Sequence, residues 1–299
     1  AAAAIADMLA HGKKRCVATS SGNTGSALAA YCAAANIACQ IVIVETAPQG
    51  KLLQMLAYGA QLHRVQGFGL DLDITAQTFE RVRQFGKSAD SGLQISAFCD
   101  SPSGMRGVQT ISYEILEQLP QPPEHIFCPA GGGGLTLAVA RGFANTTNGT
   151  ASQNSTRVHC VQPAGNDTIA TALRSGRSQA NSVDCQTLIS GLQVPSVMDG
   201  NEVISSCSAS GGTGYAVEDE DVFHYQAQLA VEEGIFCEPA AAVALAGVMR
   251  ALKMQEIHAE ENVVCLITGS AFKDPPSLER MAKNPSCPAI RLEQLFTSG

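Results

Sequence analysis

Short apolar runs that are typical of buried strands alternate along the chain with longer stretches of helical periodicity. The predicted strands are Arg15–Thr19, Cys39–Val44, Gln61–Val65, Leu93–Phe98, His125–Cys128 and Val263–Ile267. The predicted helices are Ala1–Leu9, Ser26–Ala35, Lys51–Tyr58, Asp73–Gln84, Gly107–Gln118, Leu135–Phe143, Asp219–Glu232 and Ala240–Leu252. Regular alternation of strands and helices indicates a layered α/β protein with mostly parallel sheets.

A run of four glycines, Gly131–Gly134, lies between a predicted strand and a predicted helix. Backbone amides converge at such a junction and can bind an anion, and glycine lets the anion approach them closely. The spacing fits neither a dinucleotide fingerprint nor a P-loop, because no Gly-Lys-Ser or Gly-Lys-Thr follows. The run therefore predicts a monophosphate site, and a flexible turn is the alternative when the run is considered alone.

Two further polar loops follow predicted strands. The loop Ser20–Gly25 combines hydroxyls, one amide and free backbone donors, a set that suits a small carboxylate. The loop Thr268–Pro275 places a hydroxyl at the carboxyl end of the last clear strand, where ligands usually contact an α/β sheet. Considered one at a time, each loop is also explained as a turn or a helix cap.

Composition narrows the class of protein. Hydrophobic residues make up 45% of the 299 positions and charged residues 15%, which indicates a globular domain structure. The net charge of −8 argues against a nucleic-acid surface, which would need a basic patch. The sequence contains no signal peptide and no apolar run of membrane length, so we expect a cytoplasmic protein without a membrane or nucleic-acid partner.

The chain contains 11 cysteines, and their placement favours thiols in a reducing cytosol over disulfides. Several lie inside apolar stretches, where cysteine behaves as a small hydrophobe. These are Cys16, Cys39, Cys128, Cys160 and Cys265. No Cys-x-x-Cys and no zinc spacing of Cys and His is present, so the spacing predicts no metal site.

Taken together, the order and separation of the three loops resemble the fold-type-II family of pyridoxal-phosphate (PLP) enzymes. This tryptophan-synthase-β-like family includes threonine synthase and the threonine and serine dehydratases. Lesser matches include Tyr58-Gly59-Ala60 and Glu238-Pro239. The resemblance implies two α/β domains of parallel-rich sheets with PLP between them, the smaller at residues 14–102 and the larger at 1–13 plus 103–299. It also implies a small amino-acid substrate and a homodimer.

The resemblance also assigns roles within the loops. Asn23 would contact the phenolic oxygen of PLP, and Thr268 would contact the ring nitrogen. The substrate carboxylate would lie against Ser21, Thr24 and Gly25. The cofactor phosphate would be held by Gly131, Gly132, Gly133, Gly134 and Leu135.

Two features bear on the branch of the family. Thr268-Gly269, followed by Lys273-Asp274-Pro275, looks like the ending of threonine synthases, although Ser270-Ala271-Phe272 departs from their usual pattern. The glycine run with Leu135 is more similar to dehydratases. The Lys-Asp-Pro ending is the more specific of the two, so we expect a PLP-dependent carbon–oxygen lyase of amino-acid biosynthesis, a threonine synthase. The alternative is a threonine or serine dehydratase.

The resemblance implies a Schiff-base lysine a few residues before Ala1. The first predicted helix begins without a methionine or a capping residue, which favours a truncated chain. Lys13 and Lys14 lie at a helix-to-strand turn, and Lys273 belongs to the C-terminal motif, so none of them is predicted to be catalytic. We expect these 299 residues to bind PLP noncovalently and to turn over no amino acid usefully. A non-catalytic PLP-binding paralogue is a further alternative.

Overall fold

The computed structural model describes residues 1–47, 49–146, 156–282 and 287–295. Within them, eight strands form two sheets of four parallel strands each, with the orders β3-β2-β1-β4 and β7-β6-β5-β8. The first sheet contains β1 (Arg15–Thr19), β2 (Ala38–Ile43), β3 (Gln61–Arg64) and β4 (Ser91–Leu93). The second contains β5 (His125–Pro129), β6 (Arg157–Pro163), β7 (Gly214–Val217) and β8 (Val263–Cys265). The predicted parallel α/β class is confirmed.

Helices connect the strands and cover both sheets. The first six are α1 (Ala2–Ala10), α2 (Asn23–Ala34), α3 (Gln49–Ala57), α4 (Leu72–Gly86), α5 (Pro102–Arg106) and α6 (Thr110–Gln118). The other six are α7 (Gly134–Thr146), α8 (Ala170–Arg174), α9 (Gly200–Ala209), α10 (Asp219–Glu232), α11 (Pro239–Lys253) and α12 (Pro275–Ala282). Across this part of the chain, every helix is too short or too polar to cross a membrane.

The differences from the predicted bounds lie close to the polar loops. Helix α2 begins at Asn23, three residues before its predicted start, so Asn23–Gly25 form its first turn. Strand β4 ends at Leu93, and residues 94–98 leave the sheet instead of extending it. The predicted helix Gly107–Gln118 divides into a 3₁₀ turn at Gly107–Gln109 and α6. Helix α7 continues to Thr146, and most of the predicted polar loop after it lies outside the described residues.

Each sheet has its own apolar core. In the first sheet, β1 alternates between two faces, with Cys16 and Ala18 packed towards α1 and α2 and Val17 packed on the opposite face. Helix α1 contributes Ala4, Ile5 and Met8 to the same cluster as Cys16. The alternation of the β1 side chains between the two faces follows from the period of two residues along a strand.

The division of the chain into two domains at residues 14 and 102 stays a prediction.

The second sheet packs against α11, whose buried face consists largely of alanine. Small side chains let the helix approach the sheet closely. At Gly247 a Cβ atom would lie 2.6 Å from a methyl group of Val161 in β6. The helix therefore packs closely on the strands, and the Glu238 amide just before it donates a hydrogen bond to the Gly269 carbonyl in the segment after β8.

Two histidines are buried in the second core. The Thr213 amide donates to His159 Nδ1 at 3.1 Å, so neutral His159 carries its proton on Nε2 and donates to His125 Nδ1 at 2.8 Å. His125 Nε2 in turn faces Glu261 at 3.6 Å, and the His159 ring stacks on Phe127. Desolvation, followed by the charge of His125, lowers the pKa of His159 to about 3. Both rings are therefore neutral in the folded protein near pH 7.

We predict that His159 makes the protein acid-sensitive. Unfolded histidine titrates near pH 6.5, so between that pH and about pH 3 only the unfolded chain takes up this proton. Stability should then fall by about 1.4 kcal/mol per pH unit for each such proton as the pH drops. Urea unfolding at a series of pH values should show a shallower acid slope for His159→Phe, whatever its stability at pH 7. Equal slopes in the two proteins would contradict the assignment.

Candidate functional site

The loop after β1 is held by its own hydrogen bonds. Ser20 Oγ accepts hydrogen bonds from the amides of Gly22, at 3.3 Å, and Gly25, at 3.0 Å. A Cβ atom on Gly25 would lie 2.6 Å from the Ser20 carbonyl oxygen and 3.0 Å from the Met55 side chain. Only glycine fits there, so this part of the predicted substrate loop has a structural requirement of its own. The loop delivers Asn23 to the first turn of α2.

The Asn23 side chain is bonded at both ends. Its Nδ2 donates to Glu238 Oε1 at 2.5 Å, and its Oδ1 accepts from Lys273 Nζ at 2.5 Å. An amide has one donor end and one acceptor end, so the two partners fix the orientation of the group. Both partners come from segments beside the second sheet, whereas Asn23 belongs to the first. The amide therefore links a carboxylate and an ammonium across the two sheets.

The segment after β8 packs tightly against Glu238. The Glu238 amide donates to the Gly269 carbonyl at 3.0 Å, and Cys237 and Ser270 form an antiparallel bridge. A Cβ atom on Gly269 would overlap the Glu238 carboxylate and lie 2.6 Å from Asn23 Nδ2. The glycine in the Thr-Gly pair is therefore required by the closeness of the two segments. Thr268 precedes it and is exposed to the cleft described below.

The glycine run connects β5 to α7 and presents backbone amides. Among the residues that the structure describes, none accepts a hydrogen bond from the amides of Gly131–Gly134. Gly133 has a φ of +93°, a conformation that glycine adopts without strain. The carbonyls point into the protein, because Gln162 Nε2 donates to Gly131 and the Asp199 amide donates to Gly132. Free amides at a helix start form an anion site.

Residues 96–99 join the first sheet to the glycine run. Ser96 Oγ lies 2.8 Å from Thr24 Oγ1, and a Cβ atom on Gly134 would lie 2.5 Å from the Ser96 carbonyl oxygen. The Asp199 carboxylate accepts from the amides of Phe98, at 2.7 Å, and Cys99, at 3.3 Å. Burial raises the pKa of Asp199, and these two hydrogen bonds partly offset that effect. The three polar loops of the sequence therefore meet around this segment and Asn23.

A cleft of about 640 Å³ opens between the two sheets at this meeting point. Of the predicted site residues, four line it: Asn23, Thr24, Leu135 and Thr268. The cleft is not lined by the other predicted site residues, which are Ser21, Gly25 and Gly131–Gly134. Gly25 and Gly134 nevertheless lie next to lining residues, because Gly25 follows Thr24 and Gly134 packs against Ser96. The rest of the lining is largely apolar and carries no Lys, Arg, Asp or Glu side chain.

Three residues of this site are not predicted from the sequence. Ser96 lies in a segment with a strand pattern, and nothing in the sequence marks it. Glu238 stands only in the Glu-Pro match, although an acid directly before a proline that starts a helix is a signal that the sequence carries. Lys273 belongs to the C-terminal motif and has no predicted role, yet its Nζ donates a hydrogen bond to Asn23 Oδ1.

Comparison with known proteins gives one family. The family described as "Pyridoxal-phosphate dependent enzyme" matches residues 1–269. The threonine synthase of Methanocaldococcus jannaschii is 30% identical over 270 residues, and that of Methanosarcina acetivorans is 28% identical over 271. Each alignment covers 89% of this chain, and the chain spans 64% of the length of each relative.

Solved structures show the same fold at lower identity. Threonine deaminase isoform 2 of Solanum lycopersicum superposes with a TM-score of 0.72 at 23% identity, covering 92% of this chain and 74% of that one. An L-serine ammonia-lyase of Rhizomucor miehei gives a TM-score of 0.74 at 18% identity, covering 94% of this chain and 85% of that one. These similarities establish the two-sheet architecture around the cleft.

Proposed function

Because this chain belongs to the family of pyridoxal-phosphate-dependent enzymes, we propose that it serves a threonine synthase reaction, in which O-phosphohomoserine and water give threonine and phosphate. The sequence relatives named above support this proposal, since both are threonine synthases. The observation that carries it is the hydrogen bond from Lys273 to Asn23, because it fixes a cation against a residue that lines the cleft. Lys273 itself is not part of the lining, which carries no charged side chain.

The residues around the cleft fit PLP. The unbonded amides of Gly131–Gly134 offer a cradle for a phosphate at the start of α7, and a side chain at Gly134 would close it against Ser96. Thr136, in the first turn of the same helix, has a buried hydroxyl without a hydrogen-bond partner among the described residues. In this proposal the glycines with Leu135 hold the phosphate, Thr268 meets the ring nitrogen and Asn23 meets the phenolic oxygen.

When bound, PLP supplies an electron sink that makes the bonds around the substrate α-carbon easier to break. The chain's own residues set how strongly this sink acts. A threonine hydroxyl at the ring nitrogen, as proposed for Thr268, does not stabilise a protonated ring as a carboxylate would. This arrangement suits elimination and replacement at the β- or γ-carbon. Ser21, Thr24 and Gly25 would line the site of the substrate carboxylate at the start of α2.

Lys273 distinguishes the two candidate reactions. O-Phosphohomoserine carries a phosphate that must be bound and released, and a cation stabilises such a dianion. Serine and threonine carry no second anion, so a dehydratase has no corresponding need. The Glu238 carboxylate beyond Asn23 keeps the site from carrying an unbalanced positive charge when no phosphate is bound.

A threonine or serine dehydratase is the second candidate. The glycine run with Leu135 resembles that branch, and the two solved structures named above are a threonine deaminase and a serine ammonia-lyase. A non-catalytic PLP-binding role is the third. In the first two cases the substrate is a small amino acid, and a cytoplasmic homodimer is part of the proposal.

We predict that the product of the whole gene, including any residues before Ala1, releases phosphate and forms threonine from O-phosphohomoserine. The assay is run in parallel with serine and threonine, with keto acid as the readout. Keto acid without phosphate release would replace the proposal with a dehydratase. PLP binding without turnover of any of the three amino acids would favour the non-catalytic role.

We predict that Lys273→Met weakens the use of O-phosphohomoserine more than the use of a substrate without a phosphate. A hydrogen bond from a charged group is worth about 1.5–3 kcal/mol, so kcat/KM should fall by roughly ten- to a hundredfold. Lys273→Arg keeps the cation and should recover part of this loss. Lys253→Met, at an exposed position at the end of α11, is the matched control. Equal losses for phosphorylated and unphosphorylated substrates would argue against phosphate recognition.

We predict that Gly134→Ala weakens PLP binding at least tenfold, because the new methyl group would press on the Ser96 carbonyl and distort the amide cradle. Gly142→Ala, in the same helix, creates a similar overlap with Ser112 away from the loop. Gly142→Ala should lower the thermal midpoint of unfolding without weakening the binding of PLP. Spectroscopic titration with PLP and thermal unfolding of both variants separate the two effects. A similar PLP affinity in both variants would contradict the cradle.

A further inference from the structure

Three cysteines from three elements converge in the core of the first sheet. Cys16 in β1 and Cys39 in β2 are register partners, and Cys32 lies in the last turn of α2 above them. Their three Sγ atoms all lie within 4.8 Å of one another, and the residues are 0%, 7% and 0% exposed, respectively. Within the described residues, no other three Cys, His, Asp or Glu side chains that could hold a metal ion meet this closely.

This convergence is not a general consequence of a cysteine-rich core. The second sheet buries Cys128, Cys160 and Cys207 in one apolar cluster, and they do not meet the same spacing. Cys207, like Cys32, is a fully buried helical cysteine. Cys128, Cys160 and Cys207 therefore serve, in the same chain, as a comparison set of buried cysteines whose sulfurs do not converge.

The spacing suits a single metal ion. A metal–sulfur bond of about 2.3 Å puts three sulfurs in a trigonal arrangement about 4.0 Å apart, so no separation needs to shorten by more than about 1 Å. The surrounding cluster is apolar, and no His, Asp or Glu of the described residues joins the three sulfurs. Soft sulfur ligands select soft cations. Met8 adds a thioether nearby, because it packs over Gly92, the register neighbour of Cys16 in β4.

The electrostatics also suit a cation. Cys32 lies near the carboxyl end of α2, where the helix dipole favours positive charge. Cysteine binds metal as the thiolate, so three cysteines that coordinate a divalent ion release three protons and give a complex with a net charge of −1. A single net charge costs less to bury in an apolar core than a bare divalent ion does.

We propose that Cys16, Cys32 and Cys39 form a buried site for one soft divalent d¹⁰ cation of the Zn²⁺ and Cd²⁺ class. Such an ion would tie α2 to β1 and β2. Helix α2 carries Asn23 and Thr24 about 14 Å away at its other end, since nine residues rise about 1.5 Å each. The site is therefore structural, and it would stiffen the helix that presents the cleft residues. It does not depend on which reaction the cleft performs.

The test is a Cd²⁺ titration of the reduced, PLP-loaded protein, in a background where Cys99, Cys185 and Cys287 are replaced by serine. Cys99 and Cys287 are exposed and Cys185 is half-buried. The other half-buried cysteine, Cys265, packs against the core of the second sheet and is kept. We expect one equivalent of Cd²⁺ to produce thiolate-to-metal charge-transfer absorption and to raise the thermal midpoint. Cys32→Ala should weaken Cd²⁺ binding at least tenfold, and Cys207→Ala should leave it unchanged.

X-ray absorption of the Cd²⁺ complex tests the site without any core substitution, in case Cys32→Ala fails to fold. About three sulfur neighbours at one cadmium would support the site, and oxygen or nitrogen neighbours would overturn it. Equal loss of binding in Cys32→Ala and Cys207→Ala would also overturn it. So would a disulfide between two of the three cysteines, with no Cd²⁺ uptake after reduction.

Discussion

The two hydrogen bonds of the Asn23 side chain join the sheets where the cleft opens. Asn23 belongs to the loop after β1, and its partners Glu238 and Lys273 belong to segments beside the second sheet. An amide can satisfy a carboxylate and an ammonium at once only in one orientation, so the contact fixes the relative placement of three chain segments. Loss of the Asn23 amide would remove this donor from the buried Glu238 carboxylate, and a buried carboxylate that loses a hydrogen bond destabilises the folded protein.

The close approach of these segments depends on glycine at two positions. Gly269 leaves room for the Glu238 carboxylate and the Asn23 amide, and Gly134 leaves room for the Ser96 carbonyl. Strands β5 and β8 are parallel partners, so they end at the same edge of the second sheet, and the contacts of Asn23 and Ser96 bring the segments after β1 and β4 to that edge. The proposed chemistry uses this arrangement in three ways. In that proposal, free amides would hold a phosphate, a hydroxyl would meet the cofactor ring and a lysine would provide positive charge for a phosphorylated substrate.

Stability and function are coupled through the same elements. Helix α2 begins at the cleft and ends over Cys16, Cys32 and Cys39. An interaction that holds Cys32 against the first sheet would therefore also restrain the position of Asn23 at the other end of the helix. Helix α11 begins directly after Glu238 and packs closely on the second sheet at Gly247. The cleft is thus held by one helix from each core.

The sequence by itself determined the parallel α/β class, because alternating apolar runs and helical periods reflect which residues must be buried. It also determined the family, because the order and spacing of three polar loops are far more specific than any one of them. The roles of individual residues in those loops, and the division into domains, remain predictions.

The sequence does not identify Ser96 as a site residue, because the residues after β4 carry no turn signal. It does not assign a role to Lys273 either, because the position of its ammonium group depends on a contact with a residue 250 positions away. Tertiary structure alone brought Cys16, Cys32 and Cys39 together, because the pairing of β1 with β2 and the packing of α2 set their separation, whereas their spacing along the chain follows no metal pattern.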